Sequence, residues 1–188
     1  MYKKCVTEQS ARRQRQLEAG LLAAMKTQQY EDITVSDLCD SLNIPRKSFY
    51  RYFSSKDGAL FALIDHTMMD FTGEFFSSEL PANIDTLERF FSFWRSQSSL
   101  LDSLRRSHLS GILVQRCIIK ATEEDLVAKQ LFRHHEKYSE LYVVNFLVSG
   151  LISLVLQWHT TGFQETPRQL AVIAAKLLTQ NIIDTPIP

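Results

Sequence analysis

Residues 33–63 read ITVSDLCDSLNIPRKSFYRYFSSKDGALFAL, and the fold turns on the first half of that stretch. Thr34-Val-Ser-Asp37 is a helix-start signal: the Thr hydroxyl can cap the N–H three residues on while the Asp carboxylate reaches back. Leu38 and Leu42 then face inward from a helix of about two turns. Asn43 follows directly, and Asn tolerates the left-handed backbone that a tight turn demands. Pro45 then fits the opening turn of a new helix, where its missing N–H is no loss. Two short helices joined by a turn of roughly three or four residues make a helix-turn-helix. Ser55 can cap a longer helix from Lys56 to about Phe76, ended near Pro81.

Working outward, Glu8–Gln28 reads as a helix with Leu17, Leu21, Ala24 and Met25 as its apolar stripe. Its first half carries Arg12, Arg13 and Arg15 with no apolar face, so it is expected to project beyond the core. Downstream, helical spacing predicts Asp85–Arg95, Ser99–Arg106, Leu109–Lys120 and a weakly amphipathic Glu123–Arg133. Glu136–Thr161 is a long apolar helix with Gly162 as its stop. Thr166-Pro167 supplies cap and first position for a last helix through Ile183. No segment alternates with period two long enough for a strand, and six Gly and five Pro in 188 residues are too few turn formers for an all-β fold. The expected class is all-α.

The formal net charge is zero, but residues 1–60 carry ten basic against seven acidic side chains, a net +3, and residues 61–188 eleven against fourteen, a net −3. A basic front suits a nucleic-acid contact at one end. Cys5, Cys39 and Cys117 form no C-x-x-C and read as reduced cytosolic thiols, neither a disulfide frame nor a zinc site. The N-terminus is polar through Arg15, with no signal-peptide core. Leu141–Trp158 has 18 residues without a charge, the lower limit for a spanning helix. Asn145, Ser149, Ser153 and Gln157 recur along one stripe of it, so a buried helix at a subunit interface is expected, not a membrane span. His134-His135-Glu136 lacks the spacing of a helical zinc pair. No H-E-x-x-H, G-x-S-x-G, phosphate loop or dinucleotide fingerprint occurs, and neither an enzyme nor a metal or cofactor is expected.

The helix-turn-helix followed by Tyr50-Arg-Tyr-Phe53 and Ser55-Lys56-Asp57 resembles the DNA-binding module of the TetR family of transcriptional regulators. A weaker match lies at Phe146–Ala171, FLVSGLISLVLQWHTTGFQETPRQLA, similar to the family's small-residue helix, Trp, Gly and capped final helix. The middle, Met68–Lys137, matches only in being helical. Asn43 stands where Gly is frequent, and Ala59 where Leu is common, with Leu60 supplying the bulk. The resemblance implies an N-terminal three-helix DNA-binding domain over 1–54. A helical ligand-binding and dimerisation domain would cover 55–188, linked by the long helix from about 55. It also implies a cytoplasmic, ligand-responsive repressor that binds a palindromic operator in double-stranded DNA as a homodimer. Some relatives instead act as coactivators through a partner protein without binding an operator, and the basic second helix here argues against that alternative.

For the DNA end, Arg46 and Lys47 open the second helix directly after Pro45. Arg pairs bidentately with guanine O6 and N7, and Lys serves the same edge less rigidly. Ser48 fits a base edge or a phosphate. Ser36 matches a family position at the groove edge. Phe49 and Phe53 read as core. Tyr50 and Tyr52 are phosphate contacts by resemblance. Thr34 and Lys56 stand at helix N-termini, which favour a phosphate oxygen, and Lys56 matches the family's phosphate-binding Lys. Lys3, Lys4, Arg12 and Arg13 fit either a basic arm or a frayed polar tail, and the tail is the simpler reading.

Behind that end, the resemblance implies a cavity for a small-molecule effector. The candidates are His66, Met69, Phe90, Phe93, Trp94, Leu109, Ile112, Val143 and Trp158, whose spacing equally fits ordinary core. An apolar lining rich in Phe and Trp favours an apolar or aromatic effector. The apolar faces of the last two helices are expected to pair with a second chain through Phe146, Gly150, Leu151, Leu154, Trp158, Ile173 and Leu177.

Overall fold

The computed structural model describes residues 1–75, 84–123 and 137–179. The expected helix over 123–133, apart from its first residue, and the His134-His135-Glu136 run lie outside the described residues. The helices are α1 (Glu8–Met25), α2 (Val35–Ser41), α3 (Arg46–Tyr52), α4 (Lys56–Phe75), α5 (Ile84–Ser96), α6 (Ser98–Arg106), α7 (Ser110–Glu123), α8 (Lys137–Thr160) and α9 (Pro167–Thr179). A 3-10 turn, Tyr30–Asp32, joins α1 to α2. Among the described residues there is no strand, only an isolated bridge between Tyr2 and Phe53.

The chain packs as two compact units, Met1–Asp70 with Ser99–Lys120, and Phe71–Ser98 with Ala121–Pro188. The first part of α4, together with α6 and most of α7, belongs to the front unit.

In the front unit the local signals work as their chemistry requires. Thr7 caps α1 in a reciprocal box with Ser10, and Thr34 caps α2 in another with Asp37. Ser55 Oγ accepts from the Gly58 N–H at 3.2 Å, capping α4. Leu17, Leu21 and Met25 of α1 pack inward with Leu38, Phe49, Leu60 and Leu104, all buried.

Two expectations for this unit are corrected. The front half of α1 does not project. Gln14 in that half, and Glu18 just beyond it, are buried because each finds a partner: Gln14 Nε2 donates to the Lys3 carbonyl at 3.1 Å, and Glu18 Oε1 lies 2.9 Å from His66 Nδ1. Nor are the first residues a frayed tail. The Lys3 N–H donates to the Tyr52 carbonyl at 2.9 Å, the Ser54 N–H to Met1 O at 3.2 Å, and the Tyr2 hydroxyl to Asp65 Oδ2 at 2.7 Å. Gly58 accommodates this run, since a Cβ there would lie 2.7 Å from Met1 O. Asp65 is fully buried and also accepts from Arg116 of α7, whose Nε is 2.8 Å from Oδ1.

In the rear unit α5 packs against α8 and α9. Phe91 and Trp94 of α5, Val144, Ile152, Val155 and Trp158 of α8, and Leu170, Ala171 and Ala174 of α9 form its buried face. Phe91 and Trp158 meet edge to face at 6.0 Å, and Trp158 meets Phe163 at 4.8 Å. The α8–α9 turn uses Gly162 at φ +77°, followed by Phe163 at +57°. Thr166 and Gln169 then cap α9 reciprocally, with Gln169 N–H to Thr166 Oγ1 at 3.2 Å and Thr166 N–H to Gln169 Oε1 at 2.8 Å. Pro167 is the first residue of α9, as its fixed φ favours.

Candidate nucleic-acid interface

Helices α2 and α3 are held together by the turn between them. Asn43 takes φ +52°, and the Ile44 N–H returns to the Cys39 carbonyl at 2.9 Å. Pro45 is the N-cap of α3 and Arg46 opens the helix. Phe49 and Phe53 are buried and meet at a tilt, 5.1 Å between centroids. With Phe49 pinned inward, the α-helical period leaves Pro45, Arg46, Lys47, Tyr50 and Arg51 exposed, while Ser48 and Tyr52 are half-buried. On the preceding helix Thr34 is exposed and Ser36 half-buried. Thr34 Oγ1 accepts from the Asp37 N–H at 3.1 Å and donates to the Asp37 carboxylate at 2.6 Å, so the hydroxyl already serves the cap. An exposed Arg-Lys pair at the start of a rigidly seated helix is the arrangement that presents donors to base edges in a major groove.

Lys56 is arranged differently from the free ammonium that phosphate capture requires. Its Nζ donates to the carbonyls of Tyr30, of Glu31 at 3.2 Å and of Ile33 at 2.7 Å, and stands 4.2 Å from the Tyr30 ring centroid. The Tyr30 hydroxyl donates to Asp57 Oδ1 at 2.6 Å. Burial, then the hydrogen bond and charge of Asp57, push that phenol well above the usual tyrosine range. Tyr30 and Asp57 escape sequence reasoning because nothing local marks a partner some 26 residues away. Burial also raises the Cys39 and Cys117 thiols, which keeps them protonated and unreactive.

The effector candidates fall into both units. His66, Met69, Leu109 and Ile112 belong to the front one. Of these, His66 is engaged with Glu18, Met69 is exposed, and Leu109 and Ile112 are half-buried. Phe90, Phe93, Trp94, Val143 and Trp158 belong to the rear one. There the Trp94 ring lies 5.6 Å from that of Phe93 and 6.4 Å from that of Phe90, and its buried indole N–H has no hydrogen-bond partner among the described residues.

The partner-face candidates also separate. Phe146, Ile173 and Leu177 are exposed, as is Gly150, around which a Cβ would meet nothing within 4 Å. Leu151 and Leu154 are half-buried. Trp158 must be removed from that face: it is 2% exposed and its N–H donates to the Glu165 carbonyl at 3.1 Å. Tyr142, missed from sequence, is 79% exposed one turn before Phe146. An open groove of about 370 Å³ runs beside Ile173, lined also by Glu165, Arg168, Gln169 and Val172. Leu141–Thr160 is long and apolar enough to cross a membrane by length and composition alone, and only 22% of it is buried within the chain.

Residues 21–63 match the family model described as bacterial regulatory proteins, tetR family, and residues 101–180 match one described as a transcriptional regulator C-terminal region. No curated protein matches the sequence. Among solved structures, Lin0861 from Listeria innocua superposes with a TM-score of 0.72 at 17% identity, covering 95% of this chain and 97% of that one. The TetR family repressor AlkX from Dietzia sp., implicated in biodegradation of n-alkanes, gives 0.55 at 20% identity over 88% and 95%. The dihydroxyacetone kinase operon activator DhaS gives 0.57 at 14% over 88% and 93%. At these identities the likeness is one of fold.

Proposed function

Because the chain belongs to the TetR family of transcriptional regulators, we propose that it binds a palindromic operator as a homodimer and releases it in response to a small molecule. Regulators of this family are soluble, non-enzymatic DNA-binding proteins, generally cytoplasmic, and a cytoplasmic site of action accords with that reading. The DNA-binding module is taken to run to residue 54, with α4 linking it to the sensing and pairing region. Operator recognition rests on one observation above the rest: Arg46 and Lys47 are exposed at the first turn of α3 while Phe49 anchors that helix in the core. In this reading Arg46 reads a base, with Lys47 and Ser48 beside it. Thr34, Tyr50 and Tyr52 flank the groove as phosphate contacts, with Ser36 at its edge.

The exposed apolar residues of α8 and α9 support pairing with a second copy. A single head of this size buries too little DNA for a useful specificity ratio, and two heads on a palindrome correct that. The buried Trp94 N–H, among Phe90 and Phe93 and without a partner among the described residues, supports an apolar or aromatic effector carrying a hydrogen-bond acceptor. One matched structure is of an activator and another of a repressor. The sign of regulation is therefore read from coupling: an effector that lowers operator affinity makes this chain a repressor released by ligand.

The test is selection of bound sites from a random DNA pool, followed by titration of the selected site. Arg46→Ala is expected to cost about 1–3 kcal/mol on that site and to relax one base position. Equal losses on selected and random DNA would remove Arg46 as a base reader. A wild-type protein that selects no sequence would point instead to action through a partner protein.

A further inference from the structure

We propose that Lys56 is a positioning residue for DNA recognition, an internal clamp between α4 and the turn leading into α2, and not a phosphate ligand. This rests on the DNA-binding reading above. A lysine ammonium has three N–H donors and no acceptor. All three are spent inside the protein, on the carbonyl oxygens of Tyr30, Glu31 and Ile33. The same charge lies over the Tyr30 ring, a favourable cation–π placement. The next residue, Asp57, accepts the Tyr30 hydroxyl in a 2.6 Å hydrogen bond. Two consecutive residues of the first turn of α4 thus hold one tyrosine, 6% exposed, by its face, its hydroxyl and its carbonyl.

The turn is gripped from α6 as well. The Tyr30 N–H donates to Ser107 Oγ at 3.0 Å, and Arg106 donates to the Lys26 carbonyl. A phosphate could recruit Lys56 only by stripping it from these carbonyls, leaving part-buried acceptors unsatisfied. The clamp matters for DNA because α2 begins directly beyond it in the chain. Ile33, whose carbonyl Lys56 holds, precedes Thr34, the cap of α2. Helix α2 packs on α3. The seat of Arg46 and Lys47 is therefore inherited from where Lys56 and Asp57 hold residues 30–33.

The two roles differ in salt dependence and in which neighbours matter. If Lys56 holds a phosphate, Lys56→Met flattens the plot of log affinity against log salt by roughly one unit, and Tyr30→Phe does nothing to DNA binding. If Lys56 is a clamp, Lys56→Met lowers operator affinity about tenfold with the slope changed by less than about half a unit. Tyr30→Phe, which alters no charge, then lowers affinity about fivefold, the scale of one lost hydrogen bond. The double variant falls short of the product of the two losses, because both substitutions open the same clamp. Lys56→Arg, which keeps donors for the carbonyls, stays within about threefold of wild type. The probe is the DNA site selected by the wild-type protein, titrated at four salt concentrations, with circular dichroism confirming helix content. Should Lys56→Met fail to fold, Tyr30→Phe and Lys56→Arg carry the comparison. A flattened slope in Lys56→Met, or an unchanged affinity in Tyr30→Phe, overturns the clamp while leaving DNA binding intact. A wild-type protein that selects no site overturns the DNA-binding reading, and the positioning role with it.

Discussion

The two units bury different things. The front unit places Gln14, Glu18, Asp65 and Tyr30 in its interior and gives each a named partner. The rear unit buries aromatic rings, leaves the Trp94 N–H without a partner among the described residues, and turns Tyr142, Phe146, Ile173, Leu177 and Leu178 to solvent. A polar interior whose members are all paired tolerates one arrangement and penalises others, so the front unit is rigid by its own chemistry. The rear unit exposes apolar surface of a kind that marks an interaction face, and its unpaired donor calls for an acceptor. Under the proposed function, the DNA-reading surface is finished within one chain, and the sensing and pairing surfaces are the ones that a second molecule would complete.

The largest effect that would break this comparison is expected at Asp65. Asp65→Ala removes the carboxylate that accepts from both Arg116 and the Tyr2 hydroxyl. It should cost about 3 kcal/mol, the lower end for breaking a buried pair, because Arg116 keeps some solvent access. Urea unfolding followed by circular dichroism measures it. A loss under about 1 kcal/mol would mean that polar pairing does not specify the front unit.

At α8 the sign of an effect is as informative as its size. Gly150 has open space around it within the chain. Gly150→Leu should therefore stabilise an isolated chain, by up to about 1 kcal/mol of helix propensity. If the helices of two copies approach there, the same change should weaken association instead. Phe146→Asp should weaken it by about 2 kcal/mol or more, the scale of a hot-spot residue. Sedimentation across micromolar concentrations reads both variants, and a wild-type monomer would sink the pairing.

The smallest effect is expected at Thr34. Thr34→Ala removes one N-cap from α2 and should cost about 1 kcal/mol in a thermal melt of the front unit. No loss would mean that the clamp at residues 30–33, more than the cap, starts that helix.

Those features also mark what the sequence could reveal. Thr34 with Asp37, Asn43, Gly162, and Thr166 ahead of Pro167 were legible because each acts on backbone within three or four residues. The exposure of Arg46 and Lys47 was readable from the inward period of Phe49. By contrast, Lys56 with Tyr30, and Tyr2 with Asp65 and Arg116, join residues from 26 to 63 positions apart, and no local pattern announces such a pair. Helix α1 misled for a related reason. Periodicity treats Gln14 and Glu18 as solvent-facing, whereas a polar side chain can be buried once it is paired. Trp158 misled because α8 is apolar nearly all round, so composition cannot say which face turns inward.

Both tryptophans of the chain, Trp94 and Trp158, lie in the rear unit; Trp158 N–H is hydrogen-bonded, and Trp94 N–H has no partner among the described residues. Indole emission therefore reports on the rear unit alone, while the helical signal of circular dichroism sums over both. Denaturation curves recorded by the two optical probes would coincide if the units unfold as one and separate if they do not. The placement of two side chains thus makes the cooperativity of the whole molecule visible without a label.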